Sequence, residues 1–373
     1  GVMIMSKGAM LQKLIDQANK KYGDGTIIRG GEYPVLQRMS TGVFALDVEI
    51  GGGVPKGRIV IFTGNESTGK TSIAKLTIAQ FQRTCRNCMK PLVADQETNT
   101  FCCDDPVPHR AFFVDIEGTF DPVWFEALGG DREALYLCQP QFSEQAVDIV
   151  EAVIRTGDVD VVVVDSIAMM TPADEIEKSA EDTIVGLHAR LTNRMMRSIQ
   201  AAFNSLGSQN VRKPSVILIN QLRDKVGVMF GSPTVMPGGR GQKYANSITI
   251  SFTARPSERI YETLGKKDEK KPVGVVVRFN VDKNKTFPPF RSGRFTLYTD
   301  DSEEYGTRKG EVDNEMQIVR YGVRYGLIEK SGSWYSFEDV KEQGEQAMGL
   351  AIMRKPELRA KLEEALLRKI VGK

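Results

Sequence analysis

No apolar run in this chain is long enough to cross a bilayer as a helix, which takes about 20 consecutive apolar residues. A membrane partner is therefore not expected. The opening Met3-Ile4-Met5 is too short for the apolar core of a secretory leader, so the chain reads as cytoplasmic. Net charge is also nearly lacking: 50 Lys and Arg face 48 Asp and Glu. No global basic field announces nucleic acid, and any such surface has to be local. Cysteine is scarce, with five residues. Without a leader these point to metal ligands or buried thiols rather than disulfides. No internal repeat is visible. What remains has the composition of a globular protein whose 373 residues suffice for two or three domains.

The most informative stretch is Gly64-Asn65-Glu66-Ser67-Thr68-Gly69-Lys70-Thr71. It fits the pattern of a phosphate-cradling loop. The apolar run Ile59 to Phe62 precedes it as a buried strand, and Ser72 to Ala79 follows as a helix. The glycines let main-chain N–H groups turn inward, and the helix N-terminus adds positive potential. Lys70 should neutralise β/γ-phosphates and Thr71 should ligate Mg²⁺, which makes ATP with Mg²⁺ the expected ligand.

Further strands are expected at Ala111 to Asp115, Val159 to Asp165, Ser215 to Asn220 and Ile248 to Phe252. Helical patterns separate the first four strands, so the fold class is α/β with a mainly parallel sheet. Gly274 to Val281 is another strand-like run, and the charged stretch 266–271 reads as a hairpin tip or loop. Residues 1–38 form an N-terminal helical arm, whose face at Leu11, Leu14, Ile15, Ala18 and Tyr22 packs either on its own core or on a neighbouring subunit. Residues 39–303 form the ATPase core. Residues 304–373 form a small α+β C-terminal domain ending in a helix with Leu358, Leu362, Leu366 and Ile370 at four-residue spacing.

Several residues beyond the loop carry chemistry. Val161 to Val164 ends in Asp165, as a second Mg²⁺-positioning strand does in phosphate-loop ATPases. Phe113 to Glu117 ends a strand in a carboxylate able to orient and polarise water. Gln221 ends another; a neutral amide is no base at pH 7, but it can hydrogen-bond a γ-phosphate. The stretch from Leu222 to Arg240 shows no periodicity. It carries Arg223, Lys225 and Arg240 with apolar Val226, Met229 and Phe230, a mixture suited to phosphates and bases, or an ordinary lid loop. Lys283 and Lys285 share a face if extended, and two aligned ammoniums suit a phosphate.

The cysteines cluster. Cys85-x2-Cys88 precedes adjacent Cys102 and Cys103, with His109 six residues beyond. This spacing is that of a structural Zn²⁺ knuckle in an 84–110 insert, with Cys103 or His109 as the fourth ligand. Nearby Arg83, Arg86 and Lys90 are either solvated or meet DNA or a partner. Cys138 reads as a buried apolar position.

In this order the pieces resemble the RecA recombinases, over nearly the whole chain from Met10 to about Leu367. The carriers are the phosphate loop, Asp115-Ile116-Glu117 with Asp121-Pro122, and Val164-Asp165-Ser166 with Thr171-Pro172. Others are Asn220-Gln221 with Gly227 to Gly231, Gly238-Gly239, Lys283-Asn284-Lys285 with Pro289-Phe290, and Ser331 to Tyr335. The resemblance implies a DNA-dependent ATPase that coats single-stranded DNA as a self-assembled filament, pairs it with duplex DNA and exchanges strands in repair. It extends to the SOS response, with repressor or loading proteins as further partners. It implies that Glu117 activates water and Gln221 couples γ-phosphate to the DNA loop. Lys283 and Lys285 would reach ATP on the adjacent subunit. Asp121 would meet adenine, with Trp124 stacked on it and Ser72 completing the nucleotide site. A first DNA loop would lie in Glu175 to Val185, with Val185 near bases and Arg190 and Arg197 on phosphates; Phe230 would separate base triplets. That first loop lacks the family's usual glycines, and the cysteine insert departs from the pattern. Rival readings are a RecA-fold helicase or branch-migration motor, and an ATP-switched scaffold without efficient strand exchange.

Overall fold

The computed structural model describes residues 7–92, 102–172, 186–208, 212–224, 234–235, 237, 241–265 and 269–372. The arm begins with α1 (Lys7–Tyr22), which stops where Gly23 takes a φ of 107°. Its Met10, Leu11, Leu14 and Tyr22 are exposed, so this chain does not cover that face with its own core. A small ladder of β1 (Arg38–Met39) and β2 (Val54–Pro55) flanks the buried helix α2 (Phe44–Ile50).

The core alternates strands and helices: β3 (Ile59–Gly64), α3 (Lys70–Gln82), β4 (Ala111–Asp115), α4 (Pro122–Ala127), β5 (Leu135–Cys138), α5 (Ser143–Thr156), β6 (Val161–Asp165), α6 (Leu187–Ser208) and β7 (Ser215–Gln221). Two-residue strands β8 (Arg223–Asp224) and β9 (Thr234–Val235) pair antiparallel, so the stretch after Gln221 is pinched at its base. Then come α7 (Gly241–Ala245), the long hairpin β10 (Ile248–Thr263) and β11 (Lys270–Asn284), and β12 (Ser292–Tyr298). Eight strands form one sheet in the order β12-β11-β10-β3-β7-β6-β4-β5. From β10 to β5 every neighbour is parallel; only the β10-β11-β12 edge is antiparallel.

Side-chain alternation explains why a run such as Val161 to Val164 is wholly apolar. Val161 and Val163 enter the core that holds Val60, Phe62, Ile217 and Ile219. Val162 and Val164 enter a second core with Ile59, Ile61, Val216, Leu218 and residues of α5 and α6. Both faces are covered, so neither can be polar. Each fully buried Val or Ile contributes about 1.5–3 kcal/mol, and a charge at Val163 would forfeit that and add a buried unpaired ion.

The C-terminal part comprises α8 (Asn314–Arg324), an antiparallel sheet of β13 (Glu329–Ser331), β14 (Trp334–Phe337) and β15 (Val340–Gln343), then α9 (Glu345–Met353) and α10 (Pro356–Val371). Leu358, Leu362 and Leu366 are buried as their spacing predicts. Their cluster is continuous with the core through α2. Asn314 and Gln317 accept from the N–H groups of Phe44 and Ala45, and buried Glu49 accepts from Tyr321, which ties the two parts together. Among the described residues no helix is long and apolar enough to cross a membrane.

Candidate functional site

The phosphate loop leaves β3 at its carboxyl end. Gly64 (φ 152°) lies so close to the next strand that a Cβ would stand 2.3 Å from Phe252 O, so only glycine fits. Gly69 (φ 83°) opens α3 without a side-chain cap. The first N–H groups of the helix are therefore available to an anion. The Lys70 ammonium lies across this cradle and donates to Asn65 O at 2.5 Å. Burial holds its pKa below the usual lysine range, opposed by Asp165, Glu117 and Glu66.

Three strand ends converge on a cleft of about 340 Å³ lined by the loop from Glu66 to Ser72 with Glu117, Asp165, Ile219 and Gln221. Thr71 Oγ1 donates to Asp165 Oδ2 at 2.7 Å, and Gln221 Nε2 donates to Glu117 Oε1 at 2.8 Å. Burial pushes Asp165 up to about 6, against the hydrogen bond from Thr71. A hydroxyl and a buried carboxylate side by side are a fitting oxygen pair for Mg²⁺. A larger cleft of about 960 Å³ opens where C-terminal helices meet the core, with Arg83, Glu126, Lys309 and Glu363 on its rim. Charges of both signs alternate there, whereas the smaller cleft gathers the phosphate loop and both strand-end carboxylates.

Asp115 shapes the turn that carries Glu117, accepting from Thr119 N, Phe120 N and Gln139 Nε2. Asp121 caps α4 through Val123 N and Trp124 N. Trp124 Nε1 donates to Ser72 Oγ at 3.0 Å, which brings the indole beside the phosphate loop. The Lys309 ammonium lies 5.6 Å from the ring centroid, a contact that no local pattern announces.

Lys283 and Lys285 stand elsewhere. Thr249 pairs with both Lys283 and Ile61, and the Ser247 carbonyl accepts from Lys285 N while Ser247 N donates to Ile59 O. Lys285 is thus level with the start of β3 and Lys283 with Ile61, its third residue. Gly64 lies five residues on from Ile59 and three from Ile61, roughly 17 and 10 Å at about 3.3 Å per residue. Both lysines also stand two strands to the side of β3, away from the chain's own phosphate loop.

Arg190 and Arg197 are exposed two turns apart on α6. Val185, Lys225, Val226, Phe230, Gly238, Gly239 and Arg240 lie outside the described residues, and of Arg223 only the β8 backbone is described.

The four sulfurs of Cys85, Cys88, Cys102 and Cys103 all lie within 4.8 Å of one another, and none forms a disulfide. A tetrahedral Zn²⁺ with bonds of about 2.3 Å separates its sulfurs by roughly 3.8 Å, so the cluster fits that ion. His109 is not part of it. Its Nδ1 meets Thr84 O at 2.9 Å and its Nε2 meets the Lys56 ammonium at 2.8 Å. Lys56 can only donate, so Nε2 accepts and Nδ1 carries the proton. Of the two residues that the spacing left open, Cys103 is the one in the cluster. Arg86, within the knuckle, reaches buried Asp160 at 3.1 Å and Gly157 O at 2.9 Å. It is an internal tether, not a free cation. Cys138 is only half-buried, because β5 is an edge strand.

The chain matches the family model for the RecA N-terminal domain over residues 9–97 and 106–302, and that for the RecA C-terminal domain over 316–371. The break from 98 to 105 contains Cys102 and Cys103, so half of the sulfur cluster sits where the family model has no counterpart. A Protein RecA from Clostridium novyi (strain NT) is 36% identical over 363 residues, 96% of this chain and 91% of that protein. One from Corynebacterium efficiens is 36% identical over 376 residues, covering 98% and 86%. One from Saccharopolyspora erythraea is 34% identical over 368 residues, covering 98% and 93%. With the phosphate site, the sheet and both family domains in agreement, this chain belongs to the RecA family of recombinases.

Proposed function

We propose that the chain is a DNA-dependent ATPase that assembles as a filament on single-stranded DNA, pairs it with homologous duplex and exchanges strands. The observation that carries the ATPase reading is the convergence of Lys70, Thr71, Asp165, Glu117 and Gln221 on one cleft. Lys70 and the main-chain N–H groups of the loop would hold the β- and γ-phosphates. Thr71 and Asp165 would hold Mg²⁺, which supplies neutralising charge on the phosphate oxygens. Glu117 would take up the proton of the attacking water. Gln221, bonded to Glu117 and followed by the pinched stretch at β8, would couple the γ-phosphate to the second DNA loop. Trp124 and Asp121 would flank adenine. Residues 1–38 would be the oligomerisation arm, 39–303 the core and 304–373 the C-terminal domain.

The position of Lys283 and Lys285 supports action in trans. Too far from their own phosphate loop, they would complete the site of the next subunit, stabilise transition-state charge there, and so make turnover depend on assembly. Arg190, Arg197 and the loop that follows Gln221 would bear on DNA. The four-cysteine cluster would hold one structural Zn²⁺, all four positions being filled by protein.

A strand-exchange assay with and without ATP tests the whole reading. Joint molecules and exchanged product are expected only with ATP, and DNA-stimulated ATPase without any exchange would replace the recombinase reading by that of a filament scaffold.

A further inference from the structure

The ammonium of Lys283 is held by Asn246. It donates to both the main-chain O and the Oδ1 of Asn246, each at 2.8 Å. The amide is held from turning round, because its Nδ2 donates to Ile248 O at 3.1 Å and Thr249 Oγ1 at 2.5 Å. With both donors spent, the carbonyl end has to face the lysine. Asn246 is fully buried. An aliphatic side chain there would strand Thr249 and remove one of the two oxygens that hold the charge.

Asn246 also sits at the end of a short relay. It follows α7, whose Gln242 O accepts from Asn246 N at 3.3 Å. Gln242 is likewise fully buried; its Oε1 accepts from Asn220 Nδ2 at 3.0 Å and its Nε2 donates to Pro237 O at 2.5 Å. Asn220 pairs with Thr63 and immediately precedes Gln221. The Lys285 ammonium donates to Tyr244 O at 2.8 Å, also on α7. Lys285 thus stands on a helix, and Lys283 on the residue that follows it, and that helix is bolted at Gln242 to the strand bearing Gln221.

We propose that Asn246 is a positioning residue for Lys283, fixing the ammonium that the chain offers to the ATP of its neighbour, with α7 and Gln242 as the brace that keeps it in register with the chain's own strand end. This deepens the trans reading above and rests on it. Burial and the neighbouring Lys285 pull Lys283 down to about 8.

The test uses full-length chains in mixed filaments on single-stranded DNA, each shown to contain both species. One chain carries Lys283→Ala with Lys285→Ala and keeps its phosphate loop; the other carries Lys70→Ala and keeps its lysines. Turnover then comes only from the first chain's loop completed by the second chain's lysines. Asn246→Ala added to the lysine-bearing chain should lower kcat about tenfold with KM unchanged, since misplacement of a catalytic charge costs rate more than binding. The same change in the lysine-free chain should leave turnover unaltered. Equal loss from either chain, or no loss from the lysine-bearing chain, overturns the positioning role in favour of a structural one. If the parent mixture regains no turnover, the trans reading falls and this role falls with it. Asn246→Ser takes the same arms if the alanine chain melts below the assay temperature.

Discussion

At the carboxyl ends of β3, β6 and β7, the polar atoms Thr63 Oγ1, Ser166 Oγ and Asn220 Oδ1 are buried with no protein partner. At the amino ends of the same sheet the polar groups are paired. Asp160 accepts from Arg86 and from Arg110 N, stands 3.7 Å from the Lys56 ammonium, and Lys56 in turn meets His109. His109 and the sulfur cluster then tie the insert to the entry of β4. Unpaired buried polar groups are costly and cluster where a protein gives up stability for chemistry. The carboxyl end is built to receive a ligand, and the amino end is built to hold itself together. Damage to the first should therefore cost turnover and spare the fold; damage to the Asp160, His109 and cysteine corner of the second should do the reverse.

The largest expected effect is Lys70→Ala, which removes the cradle's cation. ATP turnover and nucleotide-dependent filament assembly should be lost, with the melting temperature changed by only a few degrees. Calorimetry beside an ATPase assay checks both, and a collapse in melting would merge the two ends that the comparison separates.

Next is Glu117→Gln. It keeps shape and one hydrogen-bonding oxygen but cannot take a proton, so turnover should fall by about 10²–10⁴-fold while nucleotide binding persists. Steady-state hydrolysis at the parent rate would remove Glu117 from its role.

At the amino end, stripping the metal or substituting Cys85→Ser should lower stability by about 3 kcal/mol or more, as for a closed structural site. Metal analysis should find about one Zn²⁺ per chain. A metal-free protein in which Cys85 and Cys88 titrate freely at unchanged stability would empty this half of the comparison. Asp160→Asn should cost a similar ~3 kcal/mol, because it leaves Lys56 and Arg86 without their counter-ion; denaturant titration measures it.

A further effect is a pH slope. Burial and the Lys56 ammonium hold His109 down to about 4, against an ordinary 6.5. The unfolded chain then binds a proton that the folded chain refuses, so stability from this group is complete above about pH 6.5 and is lost as pH falls towards 4. His109→Gln should flatten the dependence of melting temperature on pH across that window. An unchanged slope would place the acid sensitivity elsewhere.

Much of the carboxyl end was legible from sequence because its geometry is local. Gly64 to Thr71 specifies its own backbone path, and Glu117 and Asp165 announce themselves as acids at the ends of apolar runs whose neighbours are the core on both sides. The four cysteines were also visible by spacing, and the periodicity of Leu358, Leu362 and Leu366 placed a buried helix face. Strand order was not visible, and it decides which distant residues meet. It puts Asp160 beside Arg86 and Lys56, and turns His109 towards Lys56 so that Cys103 completes the cluster. It also seats Lys283 on Asn246, 37 residues earlier, two strands to the side of the strand that carries the chain's own phosphate loop. Periodicity records which side of its own strand a residue takes, whereas these contacts depend on which strands lie side by side. Only the packing of the whole sheet settles that, by burying both of its faces at once.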